Sequence, residues 1–344
     1  MTKLPANYRI GTIYALLATA LLASQAPFSQ PAAERLSLSN FVLATQVILL
    51  CSVPLLLRTD KARSDFRSML GSASNLKYFL ALLLIGLLGH VLYFIALSKV
   101  HPIAIAAVLN LSPFWAAMVA LLIAKKAIPT SYAVFFCCLA VAFAGAMMIA
   151  FSQMKDFDFS LKTFASLSPF WLFAVPVPVL FALSGTLIGK WFVDFDEMAC
   201  IATTFVTASV LLIPITALVS YVRSDLGVFL DANTALILLT VGTVLGSSVG
   251  LVVYQLALGV TDEDNGFVSM FFLLGPALTA LLSLAMSLWM PRLKVAVDPI
   301  FGVGLLLVTA PIVLFSLQAR RGAIPEREDR QARVPDAVPK IAKS

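Results

Sequence analysis

Apolar residues run along this chain in long blocks, and polar residues fall in the short gaps between them. A helix that crosses the hydrocarbon core of a bilayer needs about 20 predominantly apolar residues. That length picks out ten segments, at 10–30, 38–57, 77–98, 103–124, 131–151, 169–190, 197–222, 232–258, 265–289 and 297–318. No gap is long enough to fold alone. The largest are Arg58 to Leu76, Ser152 to Ser168 and the tail from Ala319, whose Arg, Glu, Asp and Pro predict disorder. The first block follows Lys3 and Arg9 in the manner of a signal peptide, but it is read as a retained span because a later segment mirrors it.

Composition agrees with this pattern. The 344 residues are 60% hydrophobic and 12% charged, about half the charged share of a soluble domain, and the mean hydropathy is +0.96. A soluble globular protein is excluded. The net charge of +6 comes from bases in gaps and tail, as in a membrane protein with cationic cytoplasmic loops, and predicts no nucleic-acid partner. With the N-terminus inside, Lys3, Arg9, Arg58, Lys61, Arg63, Arg67, Lys77, Lys125, Lys126, Lys190 and the bases of the tail face the cytoplasm. Arg35, Lys99, Lys155, Lys162, Arg223, Arg292 and Lys294 face outward. The bias places both termini in the cytoplasm of a bacterial inner membrane. Cys51, Cys137, Cys138 and Cys200 lie in or beside apolar runs without metal-ligand spacing and read as buried hydrophobes.

An internal repeat is the most informative feature. The stretch from Gly89 to Trp115 aligns with Gly250 to Leu278: Gly89 meets Gly250, Tyr93 meets Tyr254, Ala96-Leu97 meets Ala257-Leu258, and after a two-residue insertion Pro113 meets Pro276. The predicted fold is all-α and polytopic, ten transmembrane helices in two five-helix repeats, 10–151 and 169–318. A cytoplasmic N-terminus, 1–9, precedes them, an external linker, 152–168, joins them, and a cytoplasmic tail, 319–344, follows. Five is odd, so the second repeat enters the membrane from the opposite side, the inverted arrangement of alternating-access transporters. Each proline within a span removes a backbone donor, and the carbonyl it leaves must face protein or water. Pro113 and Pro276, at corresponding places, are therefore read as hinges beside a central pathway.

The five-plus-five arrangement, the Ala-Leu pair followed by a mid-helix Pro in both halves, and a first span that breaks at small and polar residues resemble the drug/metabolite transporter superfamily, specifically its EamA-like exporters. The likeness covers residues 10–318. It implies a carrier of small organic solutes whose cavity is lined mainly by spans one, three, four, six, eight and nine. The chain departs from that pattern at Lys125-Lys126 and Met290-Pro291, where a Glu is common, at Gln46 in place of an Arg, and at Ala23-Ser24 in place of Trp-Gly.

All 18 carboxylates lie in gaps, at span ends or in the tail, which argues against a carboxylate proton relay. His90 is the mid-span group that titrates near neutral pH, and reads either as a packed core residue or as a cavity contact. Gln25, Gln46, Asn110, Ser184, Thr203, Thr204, Thr207 and Gln255 are the uncharged polar residues of the spans, which must point to neighbouring helices or to the pathway. The expected solute-binding residues are Gln25, His90, Tyr93, Trp115, Tyr254 and Gln255. Gly246 to Gly250 has the spacing of a nucleophile elbow, but Gly242, Gly246 and Gly250 read as a flat face for close helix packing. Asp262, Glu263 and Asp264 are expected to cap the ninth span.

No catalytic set, cofactor or metal site is expected. The expected function is export of small organic metabolites by a monomer in the bilayer, the solute being uncharged or zwitterionic. The alternative is a lipid-handling protein, a flippase or interfacial transferase.

Overall fold

The structure of the protein, a computed structural model, describes residues 6–124, 132–153, 169–192, 194–225, 233–261, 271–290 and 293–311, with isolated positions at 227, 268, 313 and 314. Helix dominates, and no strand occurs among the described residues. Most of linker 152–168, the acidic run Asp262 to Asp264, residues 1–5 and the tail 319–344 lie outside them.

Helix α1 runs Ala6–Arg35 and α2 Leu38–Leu56, the latter started by Ser37, whose side chain accepts from the Asn40 N–H. A short amphipathic helix, α3, runs Asp60–Gly71, and α4 follows as Ala73–Lys99. Then come α5, Pro102–Leu109, α6, Ser112–Ala124, and α7, Tyr132–Ser152. A π-turn at Phe170–Ala174 leads into α8, Pro176–Trp191. Helix α9 spans Glu197–Val222, begun by Asp196, whose carboxylate accepts from the Met198 and Ala199 N–H groups at 2.9 and 3.2 Å. Helix α10, Asn233–Thr243, passes through a π-helical stretch, Val244–Gly250, into α11, Leu251–Val260. A 3-10 turn, Phe271–Leu274, opens α12, Gly275–Ser287, and α13 covers Pro299–Pro311.

Six helices are long and apolar enough to cross a membrane: Arg9–Arg35, Leu38–Leu56, Lys77–Lys99, Tyr132–Ser152, Glu197–Val222 and Asn233–Val260. The pair α5 and α6, bent by 42°, makes a seventh if it is one broken crossing. Shorter apolar helices, Leu172–Ile188, Gly275–Ser287 and Pro299–Pro311, occupy the other three expected segments. Large apolar side chains such as Leu84, Leu122, Val210, Leu218 and Leu306 are exposed, as a chain surrounded by lipid requires.

Helix α1 is central. It packs on α10, the π-helical stretch and α11, on α12, and on α4. Helix α2 packs chiefly on α9, α4 on α8, α6 on α8, and α5 on both α12 and α7. Gly145 of α7 and Gly304 of α13 bring those two helices into backbone contact. The main buried cluster includes Ala26 and Ala32 of α1, Phe41, Tyr93, Leu97, Ile103, Leu111, Phe114 and Phe135.

Two local expectations are corrected. Helix α1 does not break near Gln25: it continues through Pro27 and Pro31, because the carbonyl that Pro27 leaves unpaired finds another donor. The gap Arg58 to Leu76 is not all loop, since α3 lies within it, with Ala62 and Met69 buried on one face.

Candidate functional site

The glycine face of the eighth expected span presses on α1. A Cβ on Gly242 would stand 2.7 Å from Phe28 Cβ, one on Gly246 2.9 Å from Gln25 Cβ, and one on Gly250 3.3 Å from Leu22 Cγ. Such backbone proximity is what small residues at four-residue spacing permit. The closeness also lets side chains bridge. Gln25 Nε2 donates to Ser247 Oγ at 3.1 Å. Pro27 lacks the N–H that would bond the Ala23 carbonyl one turn earlier, and Thr279 Oγ1 of α12 donates to that carbonyl at 3.1 Å.

Where α1, α5 and α12 meet, two helices begin in the interior. Helix α5 ends at Leu109 with Asn110 as its cap, and α6 starts at Ser112, so Pro113 is its second residue. The 3-10 turn gives way to α12 at Gly275, so Pro276 is likewise second. Proline is favoured there, because the first N–H groups of a helix have no intrahelical acceptor. The two starts touch: a Cβ on Gly275 would lie 2.9 Å from both Nδ2 and Oδ1 of Asn110. Each helix start carries partial positive charge. The Asn110 Nδ2 and Trp115 Nε1 donors are buried and have no acceptor among the described residues. Unused donors beside two helix N-termini suit a solute that offers acceptor oxygens, such as a carboxylate or carbonyl.

The six residues expected to bind solute fall in two groups. Tyr93 is buried in the main cluster, and Trp115 packs half-buried against it. Gln25 sits beside Ala26 of the same cluster, tied to Ser247. Half-buried His90 lies one turn before Tyr93; its Nδ1 is 2.7 Å from the Gly86 carbonyl and is therefore the protonated nitrogen. Tyr254 and Gln255 stand apart, in the first half of α11. Tyr254 packs with Tyr14, Ala15, Ala257 and Val268, and Gln255 Nε2 donates to Glu197 Oε2 at 2.6 Å. Pro113 and Pro276, the expected hinges, both stand at the helix starts described above.

Three residues that sequence reasoning passed over belong to this region. Ser247 and Thr279 supply the bonds to α1, and Gly275 admits Asn110. A Thr three residues after a mid-span Pro is a weak signal by itself. At the other end of α5, His101 Nδ1 accepts from the Ile103 N–H and so caps the helix, while its Nε2 is buried and has no partner among the described residues. Burial pulls this imidazole down to about 4.

No family model matches the chain, and no curated protein matches it. One solved structure, described as "Crystal structure of protein", is similar in fold. Its TM-score is 0.51 at 16% identity, over 93% of this chain and 98% of that one. The overall arrangement of the helices is thus one that a solved protein adopts along nearly its whole length.

Proposed function

We propose that the protein is a transporter of small organic solutes, working by alternating access between two inverted five-helix repeats, with both termini in the cytoplasm of a bacterial inner membrane. The observation that carries this reading is the pattern of helix contacts. Exchanging the two halves of the chain maps α1 onto α8, α2 onto α9, α4 onto α10 with α11, and α5 with α6 onto α12. The contact of α1 with α10 and α11 then becomes that of α8 with α4, and the contact of α1 with α12 becomes that of α8 with α6. The pairs α2 with α9, α5 with α12 and Gly145 with Gly304 map onto themselves. Such exchange symmetry is expected of inverted repeats related by a two-fold axis in the membrane plane. The paired prolines at two interior helix starts support the same reading, as does the resemblance to the EamA-like branch of the drug/metabolite transporters.

The solute is zwitterionic or neutral with oxygen acceptors, held near Asn110, Trp115 and Gln25. Among the described residues no acidic or basic side chain is placed there to bind a net charge, and the protein acts on its solute without chemical change. The test is to overproduce the chain, compare metabolite pools inside and outside the cell, and measure flux of enriched compounds in proteoliposomes. Flux that is lost in Asn110→Leu supports the proposal. Cysteines at 25, 93 and 110 that stay unreactive to aqueous thiol reagents from both sides, with no compound moved, would overturn it.

A further inference from the structure

The loop between α2 and α4 holds a feature that solute movement does not use. Helix α3 lies with Ala62 and Met69 buried, against α9 and α4, and with Lys61, Arg63 and Arg67 exposed. Between it and the end of α2 is an open cleft of about 370 Å³, lined by Val53, Pro54, Leu57, Arg63, Phe66 and Arg67. Its floor is apolar and its rim carries two guanidinium groups. Arg63 Nε donates to the Leu57 carbonyl at 2.9 Å, and Asp60 meets it at 3.3 Å in an exposed pair. Arg67 has no carboxylate partner among the described residues. The other nearby acid, Asp65, is turned away and accepts from the Asp196 N–H at 2.8 Å.

The cleft opens toward lipid. Val47, Leu50, Cys51 and Pro54 are exposed on one face of α2, at three- and four-residue spacing, and Pro54 belongs to both the stripe and the cleft. Leu70 of α3 is exposed on the same border. A phosphate beside Arg63 and Arg67 with a hydrocarbon chain laid along the α2 stripe satisfies both chemistries. Neither inorganic phosphate nor a neutral lipid satisfies the two together.

We propose that this cleft binds the headgroup of an anionic phospholipid from the cytoplasmic leaflet, which anchors α3 in the interface. The proposal rests on the orientation given above, with α3 inside, but not on any particular solute. It is tested on the full chain, delipidated in detergent and mixed with phosphatidylglycerol, phosphatidylcholine or inorganic phosphate, by native mass spectrometry and thermal unfolding. Phosphatidylglycerol alone is expected to remain bound and to raise the unfolding midpoint.

One base near an anionic surface contributes about fivefold to affinity, so R63Q/R67Q should weaken retention roughly 25-fold. R63K/R67K should restore most of it and K61Q, outside the cleft, should cost less than R67Q. Equal retention of the neutral lipid, equal stabilisation by phosphate, or a K61Q loss matching R67Q would overturn the proposal. A cysteine at Ser68, in a chain with its native cysteines replaced, should react in inside-out vesicles; reaction in intact cells would overturn the orientation. Because no solute is present, loss of lipid binding and loss of transport are read separately.

Discussion

Gly145→Ala tests the packing of α7 on α13. A Cβ at this position would stand 2.7 Å from the Gly304 carbonyl oxygen, 2.7 Å from the Val308 nitrogen and 2.8 Å from Leu307 Cβ. Ordinary contact begins near 3.4 Å. Two of the three obstructing atoms are backbone, so no rotamer relieves the clash, and the helices must separate by about 0.7 Å. A gap of that size forfeits roughly a quarter to a half of the dispersion energy at the contact, and overpacking a close interface costs about 1–3 kcal/mol. The ratio of folded to unfolded protein should therefore fall by about 5- to 150-fold, read as a shift of the unfolding curve in mixed detergent micelles. Gly185→Ala is the control. Nothing lies within 4 Å of its added Cβ, and alanine in a helix interior is favoured over glycine by up to about 1 kcal/mol. Gly304→Ala should act like Gly145→Ala, since its Cβ meets the Gly145 carbonyl oxygen at 2.9 Å. The double variant should cost less than the sum, because one separation of the helices serves both. A Gly145→Ala protein as stable as the Gly185→Ala control would refute the backbone contact.

Thr279→Val leaves the Ala23 carbonyl without its donor and should cost about 0.6–2 kcal/mol; Pro27→Ala restores a backbone donor, so the double variant should recover stability that Thr279→Val alone loses. A fully additive cycle would show that Thr279 does not serve that carbonyl. Asn110→Leu removes a buried donor with no acceptor among the described residues and should leave the unfolding midpoint unchanged or raised while abolishing solute flux, a pair of outcomes that separates binding from structure. For His101 the folded pKa, about 4, is below its usual 6.5, so the unfolded chain takes up the proton first. The stability is complete above pH 6.5 and declines as pH falls toward 4, by roughly 3 kcal/mol. His101→Asn keeps an N-cap acceptor and should flatten that decline in unfolding curves recorded from pH 7 to 4.

The apolar blocks were legible because the length of a crossing is a property of the bilayer: the segment read as 197–222 is helix over Glu197–Val222. The glycine spacing of 242, 246 and 250 was legible for a similar reason, since four-residue steps line one helix face. Helix α3 was missed although Ala62, Phe66 and Met69 stand at i, i+4 and i+7; so short an amphipathic pattern, in a gap rich in bases, is masked by the search for long apolar runs. Gln25 and Gln255 could not be assigned from sequence, because an amide in a span has the same composition whether it faces a neighbour or a pathway. Their partners, Ser247 and Glu197, are set by how helices distant in sequence are rotated against one another.

Those partners bear on how the halves could move. Gln25 with Ser247, Ser52 with Ser248, Gln46 with Ser209, and Thr279 with the Ala23 carbonyl all join a helix before residue 153 to one after 169. The ion pair given by the described residues, Arg63 with Asp60, is exposed and within α3. Among the described residues, the membrane-crossing helices of the two halves are therefore joined by packing and by neutral hydrogen bonds, while the charged contact, the Asp196 N–H donating to the Asp65 carboxylate, lies outside the spans beside α3. A neutral bond between membrane helices contributes on average about 0.6 kcal/mol, so four amount to about 2.4 kcal/mol, the scale that separates interconverting states. A buried ion pair in the same place would cost about 3–5 kcal/mol to break and would lock one state. The scarcity of charge in the described spans thus bears on the proposed alternation as well as on the proposed solute: it leaves the span-to-span interface without an ion pair that solute binding would have to break.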